Sequence, residues 1–362
     1  MAIFALACSG IASAQTGDGG AVDRSVSGFL SASGSPGVAI AVYTRGWSYR
    51  KAYGTSDVEN NLPATSETIF RFASVTKAIT ATATMQLVEV GKISLEHPIQ
   101  EYCPEFPVKQ WPITVWNVLA FTSGIRHYRD DEEALTGAKH FNSVAESVGL
   151  FKNDPLLFEP GTKFGYSTYA YSLLACAVEH VSGEEFGAYL RRHIFEPAGM
   201  TTATVDDALA IIPHRTRGYQ KNSSGVLQNA TLLDTSGRIA GGGVAGTAQD
   251  LANFGLAVLS YRLLARATQE SMWQFQPMRS GTTPLGLGWG LLFHEGTLHA
   301  VFMGGGQPGT SSFILIDLKT GSVIAVLANL LNADTQSLTF EIQSIIDPAT
   351  PVAADVPKGK VP

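Results

Sequence analysis

Strand-like runs stand at both ends of this chain with a mainly helical stretch between them, and that order limits the fold more than any other feature. Near the start, a candidate helix over 22–33 is followed by "PGVAIAVYTRGWSYRKAYG", two strands joined by a tight turn around Arg45-Gly46. Near the end, "LGLGWGLLFHE", "LHAVFMG", "SSFILID" and "GSVIAVLAN" read as strands, with an amphipathic run at 333–347 behind them. Between lie helical patterns at 74–90 (closed by Gly91), 114–122, 142–152, 167–181 (closed by Gly183), 184–194 and 247–260, the last opened by Thr247 and Asp250 as an acidic capping box. The pattern predicts an α+β protein: one antiparallel sheet built from both termini and flanked by helices, with a helical subdomain inserted over about 80–275. A cleft is expected where the two parts meet. The domain is placed at 22–347, after a linker at 15–21 and before a polar, Pro-rich loose tail at 348–362; no internal repeat is visible.

Composition removes several function classes. With 362 residues, 45% of them hydrophobic and 15% charged, the chain is long and apolar enough to bury a sizeable core. The formal charge of -6, with no Lys/Arg run, gives counterion release no source, so nucleic acid is not expected as a partner. "MAIFALACSGIASAQ" ends in the small-x-small pattern of a signal-peptidase site, which predicts a signal peptide over 1–14 and export to a periplasmic or extracellular space. No later run reaches the length of a membrane span. Cys103 and Cys176 then remain, as one disulfide or as two buried thiols, without metal-ligand spacing.

"RFASVTKAITATATMQLVEVGKI" places Ser74 three residues before Lys77 at the front of a helix. Spacing alone does not single this pair out, because Ser48 and Lys51 match it too; but residues three apart share a face on a helix and point to opposite faces of a strand, where Ser48 and Lys51 lie. A helix start also favours a nucleophile and a developing oxyanion, since free N–H groups and the positive dipole end point there. The nucleophile elbow Gly-x-Ser-x-Gly and the zinc motif His-Glu-x-x-His do not occur. "GGGQPG" at 304–309 fits a dinucleotide fingerprint but precedes a strand where that fold needs a helix. Tyr166, just before a helix with Ser167 or Thr168 available as caps, is a candidate base toward the serine if a nearby lysine ammonium eases loss of its proton.

With these residues in view, the chain resembles the class C beta-lactamase and penicillin-binding-protein superfamily of serine hydrolases, and within it the serine beta-lactamase-like branch of mitochondrial type with its bacterial relatives. The resemblance spans roughly 22–347 and rests on "RFASVTKAITA", "ITVWNVLAFTSGIRHY", "PGTKFGYSTYAYSLLACAVEHVSG", "IAGGGVAGTAQDLANFG" and "GGGQPGTSSFILIDLKTGSVIAVLAN", in that order. It implies a beta-lactamase-like fold, Ser74 as nucleophile, Lys77 as its amine partner and Tyr166 as general base or proton relay. It further implies an oxyanion hole from the N–H groups of Ser74 and Gly306, and a cleft lined by Phe121, Thr168, Met303, Gly304 and Gly305. Two positions depart from the family pattern: Tyr-x-Asn becomes Tyr166-Ser167-Thr168, and the third motif, usually Lys-Thr-Gly or His-x-Gly, becomes Met303-Gly304-Gly305. Lys319-Thr320-Gly321 looks like that motif but joins two strands as a hairpin turn. Without a cation for a substrate carboxylate, the expected activity is acyl transfer on a small-molecule ester or peptide substrate, with neither metal nor organic cofactor. Beta-lactamase or D-Ala-D-Ala carboxypeptidase action is the alternative, and a non-catalytic binding protein on the same fold is the alternative from another class. Oligomeric state, natural substrate and the pairing of the cysteines stay open.

Overall fold

Seven strands drawn from the two ends of the chain pair into a single antiparallel sheet. The computed structural model describes residues 18–129 and 137–348. The expected export signal and residues 349–362 of the expected tail lie outside the described residues. After helix α1 (Gly19–Ser33) come β1 (Gly37–Tyr43), β2 (Ser48–Asp57) and β3 (Leu62–Pro63). The far end supplies β4 (Gly290–His294), β5 (Thr297–Gln307), β6 (Thr310–Asp317) and β7 (Ser322–Ala328), and the sheet runs β4-β5-β6-β7-β1-β2-β3. The termini meet where β1 pairs β7, in register from Val38↔Ala328 to Tyr43↔Val323. Those central strands read as near-continuous apolar runs because helices cover both of their faces; β1, apart from Tyr43, and all of β6 and β7 are buried.

Each face of the sheet has its own core. The smaller one joins Val38, Ile40 and Phe313 to Val22 and Val26 of α1 and to Leu338 of the last helix, Thr335–Ile346. The larger one lies between the opposite face and the inserted helices α2 (Thr76–Glu89), α3 (Val115–Leu119), α4 (Val144–Val148), α5 (Thr168–Ser182) and α6 (Ala248–Leu259). Helix α2 is buried nearly all round, which explains why its sequence lacks an amphipathic period. Its threonines satisfy their hydroxyls on backbone carbonyls, Thr82 on Ala78, Thr84 on Thr80 and Thr80 on Ala240.

Several element boundaries differ from the sequence reading for local reasons. The first helix starts at Gly19, inside the expected linker, because Asp18 caps the N–H of Ala21 at 3.0 Å. The helix expected over 114–122 stops at Leu119, since Phe121 turns into the left-handed region at φ 58°. The run expected over 142–152 keeps only Val144–Val148, capped by Ser143. Thr247 and Asp250 form the expected capping box on α6. Cys103 and Cys176 form a disulfide, tying the loop before α3 to the middle of α5. Among the described residues no helix is long and apolar enough to cross a membrane.

Candidate active site

Ser74 sits in a single 3-10 turn, Ala73–Val75, that leads directly into α2 and places Lys77 in its first helical turn. Ser48 and Lys51, the competing match, both lie on β2, and Lys51 is engaged 2.8 Å from Asp23. Ala73, just before the serine, holds φ at 45°, a conformation that costs a non-glycine residue about 1 kcal/mol. Phe121 holds the second left-handed backbone at the site and stacks on the ring of Tyr166 with centroids 5.2 Å apart.

Two side chains converge on the serine. Lys77 Nζ lies 3.0 Å from Ser74 Oγ, and the Tyr166 hydroxyl donates to the same oxygen at 2.7 Å. Lys77 Nζ also lies 2.7 Å from the carbonyl oxygen of Gly241 and 3.1 Å from Thr168 Oγ1. Lys77 is 0% exposed, and no carboxylate pairs with it among the described residues. Burial first, and the charge of Arg238 second, push its amine well below the usual lysine range. Three oxygens, Gly241 O, Thr168 Oγ1 and Ser74 Oγ, accept from the amine; a neutral amine keeps two of these bonds and can turn its lone pair to Ser74 Oγ.

The Tyr166 phenol shifts upward, opposite to the direction a lysine ammonium alone would give. A lysine ammonium was expected to lower the phenol; instead burial raises it, with smaller lowering contributions from hydrogen bonds to Ser74 and Thr168. Thr168, at the position of the missing asparagine, accepts from Lys77, and its hydroxyl has a small lowering effect on the Tyr166 phenol. Ser167, not Thr168, is the helix cap, accepting from the N–H of Ala170 at 3.0 Å.

The glycine strand closes the other side. A Cβ on Gly305 would stand 2.7 Å from both the N–H nitrogen of Ser74 and the carbonyl oxygen of Phe72, so only glycine lets β5 lie against the nucleophile's peptide. Gly306 is exposed, with open space at its Cβ position, whereas Gly304 faces Phe313 on the other side. Met303 is not brought to the cleft: it is fully buried in the larger core. Lys319-Thr320-Gly321 forms the turn between β6 and β7, its backbone N–H groups held by Asp317 and Gly321 at φ 72°. Gly305→Ala is expected to push the strand off Ser74 and lower kcat/KM about a hundredfold, the usual cost of a 1 Å misplacement, in a protein that still shows its secondary structure by circular dichroism.

Some site residues escaped the sequence reading. Gly241 supplies an acceptor to Lys77, and a Cβ there would come 2.3 Å from Thr168 Cγ2; the run "IAGGGVAG" was the available sign of a close backbone approach. His127 accepts the N–H of Thr168 on Nδ1 at 3.2 Å and meets the Tyr166 ring edge-on, holding the start of α5 in place.

Comparison with known proteins bears on family and fold. The Beta-lactamase family model matches residues 22–345. The human mitochondrial serine beta-lactamase-like protein LACTB is 32% identical over 296 residues, covering 62% of this chain and 54% of that protein. The chain thus spans about half the length of the mitochondrial relatives it matches. An octameric penicillin-binding protein homologue from Pyrococcus abyssi superimposes with a TM-score of 0.78 at 23% identity, covering 94% of this chain and 79% of that one. A D-amino acid amidase from Ochrobactrum anthropi gives 0.77 at 23% identity, covering 91% and 99%.

Proposed function

Since the chain belongs to the beta-lactamase family, we propose that it hydrolyses a small neutral ester or a peptide bond through an acyl-Ser74 intermediate. The observation that carries this reading is a fully buried Lys77 amine, with no carboxylate beside it among the described residues, 3.0 Å from Ser74 Oγ. Lys77 takes the hydroxyl proton of Ser74 as Oγ bonds to the substrate carbonyl carbon. The oxyanion is held by the N–H groups of Ser74 and Gly306, a role that needs no side chain. Tyr166 gives its proton to the leaving oxygen or nitrogen and regains one from the Lys77 ammonium through the Thr168 hydroxyl. Water then attacks the acyl carbon as Lys77 takes its proton, and the Lys77 ammonium returns a proton to Ser74 Oγ as the acyl group leaves; no step calls on a metal or organic cofactor.

Preference for a neutral leaving group is supported by the strand itself: positions 304–306 are all glycine and Met303 is in the core, so β5 offers a leaving-side carboxylate no side-chain cation. A missing charge-assisted hydrogen bond is worth roughly 1.5 to 3 kcal/mol, or about one to two decades in rate. Amidase action is the neighbouring possibility within the same reading, in keeping with the Ochrobactrum enzyme of similar fold. The test is labelling by a fluorophosphonate read by intact mass, followed by kcat/KM for p-nitrophenyl butyrate, a D-amino acid p-nitroanilide and nitrocefin. At least tenfold preference for the ester or the anilide over nitrocefin is expected; preference for nitrocefin would reverse the assignment in favour of a beta-lactamase.

A further inference from the structure

Tyr166 reaches the nucleophile from the end of a stack of aromatic rings. Its ring lies almost parallel to that of Phe121, with 12° between planes and 5.2 Å between centroids, and Phe121 stacks in turn on Tyr171, also at 5.2 Å and with 25° between planes. Tyr171 belongs to the first turn of α5, and its hydroxyl donates to the carbonyl oxygen of Leu119, the last residue of α3, at 3.3 Å. His127 meets the Tyr166 ring edge-on at 5.6 Å. Both tyrosines also stand beside the amine, with Lys77 Nζ 4.8 Å from the Tyr166 centroid and 5.8 Å from that of Tyr171. Phe121 is therefore in contact with the rings of the reacting centre without touching Ser74 or Lys77 through any polar atom of its own.

Two further observations single out this ring. Phe121 is 1% exposed, so it offers a substrate no surface of its own and acts, if at all, through its neighbours. Its backbone holds φ at 58°, which glycine adopts freely and a residue with a Cβ does not. A large ring kept in that conformation beside the nucleophile points to a role for the ring. The main chain is held separately: the carbonyl oxygen of Phe121 accepts from the N–H of Gly165 at 2.8 Å, so a change of side chain leaves that tie to the Tyr166 segment in place.

We propose that Phe121 is a positioning residue: its ring fixes the plane of the Tyr166 phenol, and with it the direction in which Tyr166 gives its proton to the leaving group. The inference rests on the acyl-Ser74 reading, in which Tyr166 is the acid. Conjugation keeps a phenol O–H in the plane of its ring, and proton transfer needs donor and acceptor within hydrogen-bond reach, so a tilted ring aims the proton away from the departing atom. The loss then falls on groups that need the proton and spares those that leave unaided. A general loosening of the site would slow both alike.

The experiment takes the ratio of kcat/KM for ethyl butyrate, whose leaving oxygen must be protonated, to that for p-nitrophenyl butyrate, whose leaving oxygen departs as a stable anion, at pH 8. Phe121→Leu, apolar but without a flat face, is expected to lose about tenfold or more on the ethyl ester and no more than about threefold on the p-nitrophenyl ester, within the range that general acid catalysis supplies. Tyr166→Phe should show the same selective loss at larger size, and the double variant no further loss than Tyr166→Phe alone, because both changes act on one proton. Phe121→His, a smaller flat ring that is neutral at this pH, should keep the wild-type ratio. An unmoved ratio in folded Phe121→Leu, or an equal shift in Phe121→His, overturns the proposal; where Phe121→Leu does not fold, Phe121→Met takes its place. A wild type that hydrolyses only the p-nitrophenyl ester, or a Tyr166→Phe enzyme with the wild-type ratio, removes the acid role of Tyr166 and the proposal with it. Failure of wild type to release p-nitrophenolate, or equal release by Ser74→Ala, is a different result and sinks the acyl-Ser74 reading itself.

Discussion

Ser74→Ala is expected to lower ester turnover by at least about 10⁴-fold and to abolish fluorophosphonate labelling, while the melting temperature stays within a few degrees of wild type. The size follows from the way catalytic groups act as a unit: removing the nucleophile leaves only what the oxyanion donors and substrate binding supply. The fold should survive because Ser74 is half-buried at a cleft and fills no core space, so only the two contacts of its hydroxyl with Lys77 and Tyr166 are lost. Mass spectrometry of the labelled protein gives the check. Undiminished turnover in Ser74→Ala would remove the nucleophile from the mechanism. A folded wild type that neither labels nor turns over any ester, anilide or lactam would instead favour the binding-protein alternative.

The sheet was legible from the chain because its central strands are apolar throughout and the turns between them carry glycine, as at Gly321. The catalytic pair was legible because periodicity separated a helix from a strand, which is what distinguishes Ser74 and Lys77 from Ser48 and Lys51. What sequence did not reveal depends on distance in space. The disulfide needed the loop at Cys103 to reach the middle of α5. The direction in which Tyr166 titrates is set by burial under elements far away in the chain, and no local pattern encodes it. Thr168 looked like a weak substitute for asparagine, and only the folded chain shows that its hydroxyl accepts from Lys77. Arg71 and Arg215 meet at Asp206 because short strands at Phe70–Arg71, Val244–Gly246 and Thr204–Val205 join distant segments.

Lys77 provides the second large effect, and its sign separates catalysis from stability. The mechanism needs a neutral amine, and burial supplies one by pushing the amine well below its usual range. Activity should therefore hold through neutral pH and fall as the pH drops through that lowered value, while the raised Tyr166 phenol keeps its proton across the same window. For stability the linkage runs against the wild type. Between the lowered folded value and the ordinary lysine range the unfolded lysine binds a proton that the folded one does not, so folding gives up that proton and stability rises with pH across that interval. Lys77→Met should then be inactive by at least about 10³-fold yet melt higher than wild type at pH 7, since a thioether of similar length needs no deprotonation to be buried. Lys77→Arg should be equally inactive, because a guanidinium does not give up its proton at these pH values, and about 3 kcal/mol or more less stable, because a permanent charge would be buried with no carboxylate beside it. Thermal melts of both variants from pH 6 to 9, set beside their ester kcat/KM, give the comparison. An active Lys77→Arg enzyme would show that only charge is needed at this position. A Lys77→Met protein that melts lower than wild type at pH 7 would show that Lys77 is folded as an ammonium, and the neutral-base mechanism would fall with it.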